Sequence, residues 1–217
     1  MNNHQLVTQL EQALISQQIG LDASHDLHHA RRVLSNALHI AEREPTANKT
    51  IITAAAYLHD LVNVPKNAPN RHLASRLSAE AAMPVLRELA FNNDDIQAIA
   101  HCIEAHSFSA NIKPDTIDAK IVQDADRLES VGALGIARTF YIGGKLESML
   151  FHAADPFAEN RVLNDRQFAV DHFKVKLLGL SETMQTQSGK RIAEQRTQHM
   201  IGFLNQLAEE LDVAQPW

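Results

Sequence analysis

A single cysteine, Cys102, occurs in this sequence of 217 residues. It excludes a disulfide framework within the chain and a cysteine-rich zinc module. Aromatic residues make up only 5% of the chain, and glycine and proline are scarce. Ala, Leu, Ile, Gln and Glu dominate instead, and this mixture favours helices over strands.

Runs of basic residues and long hydrophobic runs are also missing. The formal net charge is −6 and the sequence pI is about 6.0, so the charge pattern of a protein that binds a nucleic-acid polymer is absent. A small phosphate compound remains possible, because a few local cations or a metal ion would bind it. The N-terminus "MNNHQLVTQL" has no apolar signal core, and no run reaches membrane length. We therefore expect a cytoplasmic protein without a membrane partner.

Apolar residues recur at helical spacing along the chain, first at Leu6, Leu10 and Leu14. No alternating pattern of strand length appears, so the sequence predicts an all-α fold. The third helix is expected at about 49–63, and two closing helices at about 166–179 and 188–212. The polar segment "DPFAENRVLND" is predicted to be an irregular connector.

What the sequence has in excess is histidine, with twelve residues. The segment "YLHD" places His59 beside Asp60 at the end of an apolar run. The dipeptide alone is weak evidence, because a core histidine next to a surface carboxylate explains it equally well. The segment "HDLHHARRV" adds His25 and His29, four residues apart, which one face of a second helix would present together.

A later helix, the sixth predicted along the chain, has the sequence "TIDAKIVQDADRLES" and carries Asp124 and Asp126 among apolar neighbours. Such a pair is costly inside an apolar helix unless a cation lies against it. Periodicity does not decide which of the two aspartates faces the interior. Imidazole nitrogens and carboxylate oxygens together suit a divalent cation such as Mn²⁺, Co²⁺, Ni²⁺, Fe²⁺ or Zn²⁺. Water bound to such an ion becomes more acidic and can attack as hydroxide.

Taken in order, these motifs resemble those of the HD-domain metal-dependent phosphohydrolases, whose pattern is H…HD…D on a helical bundle. The match falls on His29, His59, Asp60 and Asp126. The segments "SHDLHHARRV", "AHSFSA", "KIVQDADRLESVGALGIAR" and "MQTQSGKRIAEQR" are similar to the small stand-alone bacterial HD hydrolases, over roughly residues 22–205.

The resemblance implies a site for one divalent metal ion (Mn, Co, Ni, Fe, Zn or Mg). It also implies hydrolysis of a phosphate ester or anhydride, often in a nucleotide. It makes Asp126 the fourth metal ligand. Asp124 is then either a partner that orients a histidine or a charge on the helix surface.

One position departs from the family pattern. Some members carry a glutamate three residues after the HD aspartate, whereas this chain has Asn63, which cannot act as a base. Lys66 is a candidate for holding a phosphate oxygen, and His25 for donating a proton or hydrogen bond. His106, in "EAHSFS", is expected either to contact substrate or to end its helix as a cap.

Two other functions compete with hydrolysis of a phosphate compound. "HDLHH" also has the spacing of the H-E-x-x-H zinc-protease helix, with Asp26 in place of the glutamate base. That interpretation leaves "YLHD" and "DADRLE" without a role. A non-catalytic helical protein that binds metal or nucleotide is the second alternative. Turnover of generic phosphate esters with and without Mn²⁺ distinguishes the three functions, because a protease would not act on the esters and a non-catalytic protein would bind without turnover.

The chain shows no linker, and 45% of its residues are hydrophobic, which is enough to fill a core. We expect one HD-type helical domain over residues 1–217, with a metal-site core at about 22–145. The C-terminal helices, at about 165–212, are expected to pack on that core. The sequence gives no indication of the oligomeric state.

Overall fold

The computed structural model describes residues 3–16, 26–62, 64 and 68–216. In these residues regular structure is helical, apart from one isolated bridge between Met149 and Phe168. The all-α prediction is therefore confirmed. None of the described helices is both long enough and apolar enough to cross a bilayer.

The described residues form two compact units, Met1–Asp126 and Arg127–Trp217. The expectation of a single domain stays a prediction. The first unit contains α1 (Asn3–Ser16), α2 (Leu27–Ala41), α3 (Lys49–Leu58), α4 (Ala74–Glu88), α5 (Asn93–His106) and α6 (Ile117–Arg127), which ends one residue beyond it. The second contains α7 (Gly132–Lys145), α8 (Asp171–Val175) and α9 (Gln187–Glu210). Short 3-10 turns lie at Arg71–Leu73, Leu128–Ser130 and Leu177–Thr183.

Helix α3 is the centre of the first unit. It contacts α1, α2, α4 and α5, and every residue from Ile51 to Leu58 is buried. Its start is fixed by Asn48, whose side-chain oxygen accepts from the backbone N–H groups of Thr50 and Ile51. Fully buried apolar side chains surround it, among them Val33, Ala37, Ile40, Leu86, Ile99, Ile103, Ile121 and Val122. His59 and Asp60 therefore follow directly after a helix that lies within the core.

Helix α3 ends at Leu58, five residues before the predicted end at 63. His59 Nδ1 lies 2.9 Å from the carbonyl oxygen of Ala56, and Leu61 N–H donates to the carbonyl of Leu58 at 3.4 Å. These contacts span three residues rather than four, so the α-helical ladder stops there. The periodicity of the apolar residues could not indicate this stop, because a histidine side chain makes one of the contacts.

The second unit is organised around a buried ion pair. Asp171 is almost fully buried, and Arg161 donates two hydrogen bonds of 2.6 Å to its carboxylate oxygens. The backbone N–H of Asn164 donates a third, also of 2.6 Å. The Arg161 guanidinium lies 4.5 Å from the centre of the Phe168 ring. This cluster holds the irregular segment 151–170 in place without a regular element.

The helix predicted at 166–179 is much shorter in the structure. Only Asp171–Val175 is α-helical, and the 3-10 turn Leu177–Thr183 follows it. The last helix, Gln187–Glu210, lies close to its predicted range. Thr186 caps it by accepting from the backbone N–H of Gly189 at 2.9 Å.

Candidate metal centre

Four elements of the first unit bring ionisable side chains to one place. His29 lies in the first turn of α2, and His59 and Asp60 follow the last residue of α3. His106 is the last residue of α5, and Asp126 is the next-to-last residue of α6. Segments far apart in sequence therefore meet at one cluster, which we call the His/Asp cluster (His29, His59, Asp60, His106, Asp126).

The ligand atoms predicted from the sequence lie within a few ångströms of one another. The Nε2 atoms of His29 and His59 are 3.1 Å apart. Asp126 Oδ1 is 3.5 Å from His29 Nε2 and 3.8 Å from His59 Nε2. Asp60 Oδ2 is 3.4 Å from His59 Nε2 and 3.8 Å from His29 Nε2. Ligand bonds of about 2.0–2.3 Å to a common ion require separations of this order.

The hydrogen bonds of the imidazoles fix which nitrogen is available. His59 Nδ1 lies 2.9 Å from the carbonyl of Ala56, and His106 Nδ1 lies 2.6 Å from that of Ile103. A carbonyl only accepts, so each Nδ1 carries the proton and each Nε2 of the neutral ring presents a lone pair. These lone pairs face the oxygens of Asp60 and Asp126. Acceptors that face acceptors need a proton or a metal cation between them, and this set of nitrogen and oxygen atoms fits a divalent metal ion.

Burial divides the cluster into a floor and an opening. His29 and His59 are each 1% exposed, whereas the side chains of Asp60 and Asp126 are 19% and 29% exposed. The imidazoles of His29 and His59 thus form the buried side of the cluster, which we call its dry floor. The carboxylates of Asp60 and Asp126 line the side that solvent reaches. A ligand or water molecule would approach an ion from the carboxylate side.

The helix directions favour positive charge at this place. Helices α3 and α5 end at the cluster, so the partial negative charge of their C-terminal carbonyls lies there. Helix α6 is held in register by two buried contacts: Asp118 accepts from the backbone N–H of Asn48 at 2.8 Å, and Gln123 donates to the carbonyl of Ala105 at 2.6 Å. These contacts fix the position of Asp126.

The charges of the cluster shift one another's pKa. Burial alone would lower the pKa of His59, but Asp60 and Asp126 raise it to about 9. Burial alone would raise the pKa of Asp126, but His59, His106 and His29 hold it below the usual value. Asp126 is therefore ionised at neutral pH, as a metal ligand must be.

A pH dependence of metal binding follows from the pKa of His59. Its value of about 9 lies above the ordinary 6.5, so a divalent cation must displace a proton below about pH 9. For the metal-free protein the sign is opposite: the raised pKa stabilises the fold below pH 6.5, and this stabilisation is lost as the pH rises to 9.

We therefore expect the rise in melting temperature on adding Mn²⁺ to grow between pH 6.5 and 9 and then to level off. Thermal melts with Mn²⁺ or with a chelator, at a series of pH values, measure it. A metal-induced rise that is constant over this range would contradict the assignment of His59 as a ligand.

His106 lies inside the cluster. Its Nε2 is 3.6 Å from Asp60 Oδ1, and its ring is 4.8 Å from that of His59. It is also the last residue of its helix, and the C-cap position falls on Ser107. The expectation that His106 contacts substrate stays a prediction. His59, Asp60 and His106 form a second group close enough to hold an ion, beside the group of His29, His59 and Asp126.

Other residues singled out from the sequence stand differently. Asp124 is fully buried, so the interpretation as a helix-surface charge is wrong. Helix α2 begins at Leu27 with Asp26 as its N-cap, whose carboxylate accepts from the backbone N–H of His29 at 2.8 Å. Asp26 therefore caps the helix rather than lying inside it, which argues against its role as the base in the zinc-protease alternative. His25, Asn63 and Lys66 lie outside the described residues.

A second polar cluster, which the sequence analysis did not predict, joins α1 to α2 and α3. Glu11 of α1 accepts two hydrogen bonds from Arg31, at 2.7 and 2.8 Å, and one from the hydroxyl of Tyr57 at 2.8 Å. Tyr57 and Leu14 line a small cavity together with His29 and His59. The contacts attach α1 to the two helices that carry the histidines. Only spatial proximity reveals them, because the three residues lie far apart in the chain.

Residues 26–131 match the family model described as "HD domain". YpgQ of Bacillus subtilis (strain 168) is 34% identical over 193 residues, which cover 87% of this chain and 85% of YpgQ.

Solved structures agree with this match. A crystal structure of Bacillus subtilis YpgQ in complex with ADP superposes with a TM-score of 0.73 at 29% identity, covering 97% of each chain. An HD-superfamily hydrolase from Bacillus thuringiensis gives a TM-score of 0.75 at 27% identity, covering 98% of this chain and all of that one. The order of the ligand motifs, the helical fold and these relatives lead to one conclusion: the chain belongs to the HD-domain family and has the fold of an HD-superfamily hydrolase.

Proposed function

We propose that the protein is a metal-dependent phosphohydrolase that cleaves a phosphate ester or anhydride in a nucleotide. The observation that carries the proposal is the convergence of imidazole lone pairs and carboxylate oxygens of His29, His59, Asp60 and Asp126 around one point. These residues are the proposed ligands of one divalent ion, which is Mn, Co, Ni, Fe, Zn or Mg.

When bound there, a divalent cation supplies a Lewis acid and lowers the pKa of water. The chain contributes the remaining parts of the chemistry. The dry floor of His29 and His59 strengthens electrostatic interactions at the centre. Asn63 cannot accept a proton, so the partly exposed Asp60 carboxylate is the proposed acceptor for the proton of the attacking water. His106 is the proposed substrate contact, because its Nε2 lies 3.6 Å from Oδ1 of the partly exposed Asp60.

A nucleotide is the proposed class of substrate. Bacillus subtilis YpgQ was solved in complex with ADP, and this chain superposes on that structure over 97% of its length. The net charge of −6 disfavours a nucleic-acid polymer, whereas a cation at the centre suits a single di- or triphosphate. A non-catalytic protein that binds metal or nucleotide has the same support and remains the second candidate.

A panel of nucleotides and simple phosphate esters, incubated with purified protein and with or without Mn²⁺, tests the proposal. We expect release of phosphate or pyrophosphate from at least one nucleotide, dependent on the metal. Tight binding of a nucleotide without any turnover would favour the second candidate. Absence of both would remove the proposal.

Lys66 and His25 are proposed to assist catalysis, and Lys66 gives the clearer test. If its ammonium group holds a phosphate oxygen, Lys66→Ala raises KM or lowers kcat by about tenfold to a thousandfold. Metal content should not change, because lysine is not a ligand of the ion. Steady-state kinetics with metal analysis of the same sample checks both points, and Lys49→Ala, at the start of α3, is the matched control. Unchanged kinetics would assign Lys66 to the solvated surface.

A further inference from the structure

The chain leaves the centre through an exposed aromatic turn. Helix α5 ends at His106, and Ser107 continues in an extended conformation with φ −71° and ψ 127°. Phe108 follows and is 57% exposed, which makes it the most exposed aromatic side chain in the described part of the chain. The hydroxyls of Ser107 and Ser109 lie 3.1 Å apart at the base of this turn.

The turn lies at the same end of the bundle as Asp126. The backbone N–H of Asp115 donates to His101 Nε2 at 3.1 Å, and Gln123 donates to the carbonyl of Ala105 at 2.6 Å. Later residues of α6 therefore pair with later residues of α5, so the two helices run in the same direction. Their C-terminal ends carry Asp126 and His106 to the cluster, and the aromatic turn begins there.

Phe108 lies two residues after a member of the His/Asp cluster. His106 Nε2 is 3.6 Å from Asp60 Oδ1, and the Cα atoms of His106 and Phe108 are at most about 7 Å apart. This span is comparable with the ribose that separates a nucleobase from its phosphates. The phosphates of a nucleotide at the open carboxylate side would thus leave its base near the ring.

We propose that Phe108 is the platform on which the base of a nucleotide stacks, with the hydroxyls of Ser107 and Ser109 available to its sugar or base edge. The proposal rests on the nucleotide substrate of the proposed function and makes it more specific. Every base has a flat π-face, so one aromatic ring accepts different bases without reading their identity. The centre would then select for aromatic nucleotides over inorganic phosphates, with little preference among bases.

The test compares two ligands that share a diphosphate and differ in the base: ADP and inorganic pyrophosphate. Dissociation constants are measured by calorimetry with the full-length protein and one divalent cation. We expect Phe108→Ala to weaken the binding of ADP by about tenfold to a hundredfold, which is the usual effect of removing one stacking ring. The dissociation constant of pyrophosphate should not change. Phe108→Trp should retain or improve ADP binding, and Phe108→Leu should resemble the alanine variant.

Tyr141→Ala is the matched control, because Tyr141 is an exposed aromatic of the other unit, at 46% exposure. It should change neither constant. Equal weakening of ADP and pyrophosphate by Phe108→Ala would show that the ring supports the centre rather than the base, and an unchanged ADP constant would exclude stacking. Both results overturn the proposal.

Turnover of the same variants separates this inference from the proposed function. If the wild-type protein hydrolyses no phosphate compound but loses ADP affinity on Phe108→Ala, hydrolysis is wrong and the stacking platform stands. If the wild-type protein and the Phe108→Ala variant hydrolyse nucleotides with the same KM, hydrolysis stands and the stacking platform is wrong.

Discussion

Asp126→Ala should reduce metal-dependent turnover of phosphate compounds by at least about a thousandfold, because one of four proposed ligands is lost together with its negative charge. Asp126 Oδ1 lies 3.5 Å from His29 Nε2 and 3.8 Å from His59 Nε2, so the substitution removes a carboxylate oxygen from beside both imidazoles. Affinity for the cation and the acidity of bound water should fall together.

The fold should survive this substitution. The Asp126 side chain is 29% exposed, and its removal leaves no apolar cavity in the core. Circular dichroism and metal analysis of the purified variant check the helices and the ion, and the kinetic assay checks turnover. Asp94→Ala, which removes an exposed carboxylate in the first turn of α5, is the control and should behave as wild type. Full activity in Asp126→Ala would remove the metal-centre proposal.

The fold class was predictable because apolar residues recur at helical spacing, and this pattern reports burial directly. The ends of the helices were less predictable, because single side chains decide them. His59 ends α3 through its contact with the carbonyl of Ala56, and Asp26 starts α2 by capping His29. In both places a polar side chain sets the end of the helix, and the periodicity of apolar residues does not describe such side chains.

The candidate site was predictable as a set of residues but not as a geometry. The hydrophobic pattern predicted that Asp124 and Asp126 lie on one apolar helix, but it did not decide which of them is the ligand. In the structure Asp124 is fully buried, whereas Asp126 is partly exposed and belongs to the His/Asp cluster. Asp126 was identified by its resemblance to the family pattern, because that pattern specifies the order of the metal ligands along the chain. The contacts of Glu11 with Arg31 and Tyr57 had no such signal, because they join helices through space.

The buried pair of the second unit was equally invisible in the sequence, where "DPFAENRVLND" predicted only an irregular connector. The Asp171 side chain has no exposure, and within the described part of the chain Arg161 supplies its counter-charge through two short hydrogen bonds. The hydrogen bonding of Arg161 to the Asp171 carboxylate is also the largest cause that holds the pKa of Arg161 above its usual value. The order of segment 151–170 thus depends on a charge pair rather than on a helix or strand.

Arg161→Ala should therefore destabilise the fold by about 3–5 kcal/mol, because it leaves a charge buried without its partner. Loss of the contact with the Phe168 ring and of the hydrogen bond to the carbonyl of Asp155 acts in the same direction. Urea unfolding followed by circular dichroism measures the change. Lys190→Ala, which breaks an exposed pair with Glu182, is the control and should leave the midpoint almost unchanged.

A second variant identifies the cause of the loss. If the unpaired charge is responsible, adding Asp171→Asn to Arg161→Ala should recover part of the stability, because an amide is far less costly to bury than a carboxylate. The backbone N–H of Asn164 would keep an acceptor in the amide oxygen. Equal stability of the single and double variants would assign the loss to the packing of the guanidinium instead, and a loss below about 1 kcal/mol would show that the pair contributes no more than a surface ion pair.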